Sequence, residues 1–325
     1  MRRRAFLTWA AGALAAPHTL AQSAGKRYRV GFLAVASPTP EFVKFIEPFH
    51  LGMRELGWIE GTHYVSEMRW AEGKTERFPE LARELVASAP DVLLAVTTSA
   101  IRALMQATKT IPIVMVAPGE PVASGLVASL RRPGGNVTGM AFDIDNGTYL
   151  KQVGYLRQIV PNLASVAVFV NPATQSPQVA TLPGAISAAG LKGSIAGART
   201  PEEIASAFAR MREQGVQAAL VVVDGMFAVN ARRLTELGLK HRIALGSQVH
   251  LLTRAGGLMA YAPELEENWR RAATYVHRIL RGANPADLPV ELPSRIKLTI
   301  NAKTARSLGF TVPQSILLAA DEVIE

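Results

Sequence analysis

From Tyr28 onward, short β-branched runs alternate with longer amphipathic stretches. A parallel neighbour needs a crossover long enough to hold a helix, so this alternation predicts parallel sheets covered by helices. The runs are Arg29–Val35, Val92–Val96, Ile113–Val116, Val166–Val170, Ala218–Val223, Ile243–Leu245 and Leu258–Tyr261, each expected to lead into a helix. A further strand is expected around Thr138–Phe142. The fold class is therefore α/β. At 325 residues the chain outgrows one comfortable core, and two lobes are expected. With 49% apolar and 19% charged residues it belongs among ordered globular chains.

Helix punctuation agrees with this plan. Gly57 follows the stretch Phe42–Leu56, Pro79–Ala87 runs amphipathically to Pro90, and Thr200-Pro201-Glu202-Glu203 reads as a capping box with proline at the first helical position. The helix from Glu203 should stop before Gly215. A second strand–helix series begins near Asn162, after the Arg131–Asn136 turn, which makes Val137–Asp145 the first passage between lobes. The proline-rich run Asn284–Pro293 cannot be helical and is expected to connect back between lobes. The expected organisation is a leader over 1–21, one lobe from 22–141 plus about 263–290, and a second from 142–262 plus about 291–325. The two series share a plan but no residue-level repeat.

In open α/β sheets, ligands bind beyond the carboxyl ends of the strands. That rule selects Ser37; Thr97, Thr98 and Ser99; Glu120; Asn171; Asp224; Gln248; and Tyr261 as candidate ligand-binding residues. Thr98 and Ser99 are expected to open the helix Ala100–Ala107, whose free N–H groups suit an anion, or simply to cap it. Glu120 sits in the rigid turn Ala117–Val122, as a partner for a ligand ammonium or as a surface acid. Asp224 is a second candidate for that ammonium, or the cap of the following helix. Asn171 reads as a ligand contact or as part of an Asn-Pro turn. Tyr261 and, after it, Phe227 or Trp70 are the candidates to face an apolar part of the ligand, although each aromatic taken alone is more often core.

Catalytic patterns are poor. The sequence has no Gly-x-Ser-x-Gly elbow, no His-Glu-x-x-His, no phosphate loop with lysine and no cysteine. The six histidines show no metal-ligand spacing, so structural or surface roles are expected. Neither a cofactor, a metal nor an enzymatic activity is expected.

The N-terminus reads as a targeting segment. Arg2, Arg3 and Arg4 form a basic region, Phe6–Ala16 is apolar but too short to span a bilayer, and Thr19-Leu20-Ala21 offers the small residues of a cleavage site. The pattern Arg3-Arg4-Ala5-Phe6-Leu7 looks like a twin-arginine export signal, which predicts a periplasmic protein. Without cysteine there is no disulfide framework and no lipidated cysteine, so no stable membrane insertion is expected. Three of the 35 Lys and Arg lie in residues 1–21, leaving +6 rather than +9 after cleavage. These charges are scattered, without aromatic interleaving, which argues against nucleic acid as a partner.

Several ordered segments carry a further signal: Phe49–Gly61 (FHLGMRELGWIEG), Arg69–Gly73 (RWAEG), Ala107–Val114 (ATKTIPIV), Glu120–Gly139 (EPVASGLVASLRRPGGNVTG), Gly256–Tyr261 (GGLMAY), Arg270–Val290 and Ile300–Glu325. Through them the chain resembles the ABC-transporter substrate-binding family that includes periplasmic tryptophan- and tyrosine-binding proteins. The resemblance covers essentially all of the chain beyond the leader. It implies a type I periplasmic-binding-protein fold, with two Rossmann-like lobes joined by three crossings, and delivery of ligand to an ABC permease and its ATPase. It also implies an aromatic or other hydrophobic amino acid, or a related carboxylate, as the favoured ligand class. The family usually reads Asp-Pro-Val where this chain has Glu120-Pro121-Val122, and Ser-Tyr-Gly where it has Ala260-Tyr261-Ala262.

Three other functions compete. A ligand-responsive repressor would need an N-terminal helix-turn-helix where this chain has its export signal. A periplasmic enzyme would need a nucleophile–base pair. A protein presenting solute to a chemoreceptor or sensor kinase would share every feature above.

Overall fold

A computed structural model describes residues 26–142, 146–174 and 177–325; the leader expected over 1–21 lies outside them. The first sheet holds β1 (Tyr28–Ala34), β2 (Tyr64–Trp70), β3 (Val92–Ala95), β4 (Ile113–Met115) and β5 (Val137–Gly139). They lie in the order β2-β1-β3-β4-β5, all parallel. The second sheet holds β6 (Ser165–Val170), β7 (Lys192–Gly197), β8 (Ala218–Val221), β9 (Ala244–Ser247), β10 (Met259–Pro263), β11 (Ile296–Asn301) and β12 (Glu322–Ile324). Its order is β12-β11-β10-β9-β8-β6-β7, parallel except for the antiparallel pair β10–β11. The molecule is a two-lobed α/β protein of the type I periplasmic-binding-protein architecture.

Strand pleating divides each sheet's apolar residues between two faces. In the first sheet Val30, Phe32, Val92, Leu94 and Val114 enter one cluster, while Leu33, Leu93, Ala95, Ile113 and Met115 enter the other. In the second sheet Val166, Val168 and Val170 face one way, Ala167 and Phe169 the other. Both faces are covered, so the central strands read as unbroken apolar runs.

The structure adds β2, β7, β11 and β12 to the strands expected from sequence. β2, β7 and β12 lie at or beside sheet edges and carry exposed or half-exposed residues, which hides them among polar neighbours. Two expectations are corrected. β4 leads into no helix but through the turns of residues 117–135 to its own neighbour β5, so Val137–Gly139 still belongs to the first sheet. The capping box also fails in its reciprocal form: the helix starts at Glu203, whose carboxylate accepts from the Arg199 N–H at 2.8 Å, one residue before Thr200.

The chain returns to the first sheet after β10. The helix Leu265–Leu280 adds Trp269, Tyr275, Val276 and Ile279 to the cluster built on Val30, Phe32 and Phe49. It lies close against the helix Pro40–Glu55, because a Cβ at Gly52 would stand 2.9 Å from Ala273 Cβ and 3.0 Å from the Arg270 carbonyl oxygen. Buried Asn268 donates to the Val116 carbonyl at 2.8 Å, and Thr138 donates to the Leu288 carbonyl at 2.7 Å. The chain crosses between the sheets three times: after β5, between β10 and the returning helix, and before β11. Among the described residues no helix is long and apolar enough to cross a membrane.

Candidate ligand-binding cleft

The carboxyl ends of both sheets open onto a cleft of about 520 Å³. Its first-lobe wall includes Ser37, Thr97, Thr98 and Ser99, and its second-lobe wall Asp224 and Gly225. A smaller chamber of about 70 Å³ adjoins it, sharing Thr98 and Asp224 and adding Glu120, Asn171 and Gln248. The larger chamber is mostly apolar, with Phe45, Leu94, Val96, Val249 and Trp269 in its walls.

Thr98 and Ser99 do not cap the helix that follows β3. It runs Thr98–Ala107, and its cap is Thr97, in extended backbone, whose hydroxyl accepts from the Ala100 N–H at 3.3 Å. Ser99 Oγ lies 3.3 Å from Thr97 Oγ1. Thr98 and Ser99 are therefore the first helical residues, and their unpaired N–H groups and the positive helix end stand at the cleft wall.

Asp224 caps the short helix Gly225–Val229, accepting from the Met226 N–H at 2.9 Å. The Thr174 hydroxyl donates to its other oxygen at 2.7 Å, and the Asn171 amide lies 3.4 Å from both. Asn171 is itself fixed, since its Oδ1 accepts from the Ala173 N–H at 3.0 Å in an Asx turn. Buried Gln248 accepts from the Val223 N–H at 2.9 Å through Oε1, which turns its amide nitrogen toward other partners. Glu120 has φ +46°, in the left-handed region. A non-glycine residue there costs on the order of 1–3 kcal/mol and is held by its surroundings; here the Glu120 carbonyl accepts from the Ser124 N–H at 2.8 Å.

Tyr261 lines neither chamber. The strand that carries it runs on to Pro263, so Tyr261 is mid-strand and points to a sheet face, not to a strand end. There its hydroxyl accepts from Lys151 at 2.7 Å and its ring packs on Tyr155 at 5.5 Å. Phe227 is core, 5.0 Å from the Phe169 ring, and Trp70 ends the edge strand β2 without lining either chamber.

Sequence reasoning passed over Trp269, His250, Arg254 and Glu264, all of which line the large chamber. His250 is buried and bonded on both ring nitrogens, to Thr299 Oγ1 at 2.8 Å and the Ala262 carbonyl at 2.9 Å. A carbonyl only accepts, so Nε2 carries a proton. Burial holds its pKa below the ordinary histidine value, against the opposing pull of the Ala262 carbonyl. Arg254 pairs with Glu322 at 3.1 Å. Among the described residues no group of three or more His, Asp or Glu is placed to hold a metal.

A cleft at facing strand ends, mostly apolar with a polar end, is suited to holding a small molecule. A family model described as "ABC transporter substrate binding protein" matches residues 38–324. The chain belongs to this family. It is 22% identical over 271 residues to the tyrosine-binding protein of Clostridioides difficile, covering 83% of this chain and 77% of that protein. The ABC domain from Streptococcus pneumonia, crystallised in complex with L-Trp, is 26% identical and superposes with a TM-score of 0.84 over 92% of this chain and 100% of that one. A conserved domain protein from Vibrio cholerae superposes at 0.83 with 25% identity, again over 92% and 100%. Both structures share the fold across the two lobes.

Proposed function

We propose that this substrate-binding protein is exported to the periplasm, captures an aromatic or other hydrophobic amino acid, or a related carboxylate, between its lobes, and delivers it to an ABC permease and its ATPase. One observation carries the ligand class. The cleft changes character along its length, from a mostly apolar chamber walled by Phe45, Leu94 and Trp269 to a small one of more evenly mixed lining, where Glu120, Asn171, Asp224 and Gln248 stand among Phe142, Val170 and Val179. A molecule with an apolar body and a polar head matches that gradient. The helix start at Thr98 and Ser99 suits its carboxylate, and Asp224 or Glu120 suits an ammonium. The relatives named for tyrosine or crystallised with L-Trp support the same class.

Capture without chemical change is the activity in view. Asn171, Gln248 and Asp224 at the cleft are engaged in an Asx turn, a backbone bond and a helix cap, which supports a holding role. A thermal-shift series with L-tryptophan, L-tyrosine, L-phenylalanine and their des-amino analogues tests the reading, because a ligand that binds only the native state raises the melting temperature. A clear rise with at least one of them, and its recovery unaltered after incubation, is expected. No rise with any, or recovery of altered ligand, overturns it.

A further inference from the structure

The lobes meet where a side chain is missing. Gly225 opens the helix Gly225–Val229 of the second lobe, next to the cap Asp224. A Cβ at this position would lie 3.1 Å from Thr97 Cγ2, 3.1 Å from Val35 Cγ2 and 3.3 Å from Val35 Cγ1. All three are methyl carbons of the first lobe. Carbon atoms rest about 3.5–4.0 Å apart, so each of these contacts would be repulsive. One turn along the same helix, Val229 Cγ1 stands 3.5 Å from where a Cβ on first-lobe Gly73, in the loop after β2, would lie, an ordinary van der Waals distance.

Gly225 is not required by its own backbone. Its φ lies outside the left-handed region, so alanine fits the local conformation. The requirement comes from the opposite lobe. Neither side of the contact yields easily. Thr97 is the cap of a ten-residue helix, Val35 packs against the first-lobe core, and Met226 and Phe227, the next residues after Gly225, are buried in the second. The soft coordinate is rotation of one lobe against the other about the three crossings.

We propose that Gly225 sets how closely the two lobes approach, so that the missing Cβ, and no contact with ligand, defines the closed form of the cleft. In Gly225→Ala the resting lobes stand further apart while each keeps its own fold. Thr97→Ser with Val35→Ala removes all three opposing methyls and keeps the capping hydroxyl, so it restores closure to the alanine variant.

The test needs no ligand and is independent of the function proposed above. The full chain has no cysteine, so spin labels attach only at introduced ones. Exposed Glu80 and Arg233 provide a helix position on each lobe, as Glu80→Cys and Arg233→Cys. Electron–electron resonance distances are then compared for the labelled parent, Gly225→Ala, and Gly225→Ala with Val35→Ala and Thr97→Ser. Expected are a longer distance for Gly225→Ala and a return to the parent value in the combined variant. An unchanged distance in Gly225→Ala overturns the proposal. So does a longer distance that the combined variant fails to reverse, which would locate the effect inside the second lobe.

Discussion

The Thr174 hydroxyl donates to the Asp224 carboxylate at 2.7 Å, tying the loop after β6 to the loop after β8 at the wall of the cleft. Asp224 is thereby aimed before any ligand arrives. A carboxylate offers about four acceptor sites, so the bonds from Thr174 and Met226 leave room for an ammonium. Asn caps helices as well as Asp, which makes Asp224→Asn a clean removal of charge. If Asp224 holds a desolvated ammonium, the variant weakens binding of L-tryptophan by on the order of 2–5 kcal/mol, roughly thirty- to several-thousand-fold. Binding of the des-amino analogue, indole-3-propionate, is spared. Titration calorimetry on Asp224→Asn and Glu120→Gln separates the two acids, and parent-like affinity for L-tryptophan in both removes the ammonium partner from this site.

The cap at Thr97 gives a second prediction. Thr97→Ala leaves the first turn of Thr98–Ala107 without its side-chain acceptor and lowers stability by about 1 kcal/mol, whereas Thr97→Ser retains the bond. Denaturant unfolding of the three proteins checks the order. Equal midpoints for alanine and serine would show the 3.3 Å bond to contribute nothing.

Buried His250 makes stability depend on pH. Its folded pKa lies below the unfolded value, chiefly through desolvation, with Arg254 adding to the lowering and Glu264 and Glu322 opposing it. Between the two pKa values the unfolded chain binds more protons, so stability rises with pH there. It falls as pH drops from about 6.5 toward the folded pKa. His50 is lowered in the same direction, again first by burial, and adds to the slope. Urea unfolding at pH 7.5 and pH 5.5 should show the loss, and His250→Gln should reduce it. An identical pH response in that variant would assign the effect elsewhere.

Export yields a prediction that rests on sequence alone. Cleavage after Ala21 places Gln22 at the N-terminus of the protein recovered from periplasmic extract. N-terminal sequencing decides it, and full-length chain confined to the cytoplasm would reopen the repressor reading.

What was legible in the sequence follows from how completely a strand is buried. β3, β6 and β8 are apolar on both faces and read plainly as VLLA, VAVFV and AALV. β2 and β7 alternate with polar residues or glycine, and no local pattern distinguishes them from loops. The strand-end rule picks out Ser37, Thr97, Asn171, Asp224 and Gln248, each of which lines one chamber or the other, because it needs only the place where an apolar run stops. It failed at Tyr261 by stopping the strand two residues before Pro263; the residue just beyond the true end, Glu264, does line the cleft. Trp269 was out of its reach, since it comes from a helix that reaches the cleft only by crossing back between lobes.

That return has a consequence for how the molecule is made. The apolar cluster on one face of the first sheet begins at Val30 and is completed only by Trp269, Tyr275, Ile279 and Leu288. A nascent chain that has emerged as far as Pro263 carries all five strands of that sheet and five of the seven strands of the second, yet leaves Phe32, Phe49 and Met53 without their cover. The N-terminal lobe, first to be synthesised, is thus sealed only once residues 265–288 have emerged, shortly before β11 and β12 complete the second sheet, so the two lobes finish almost together.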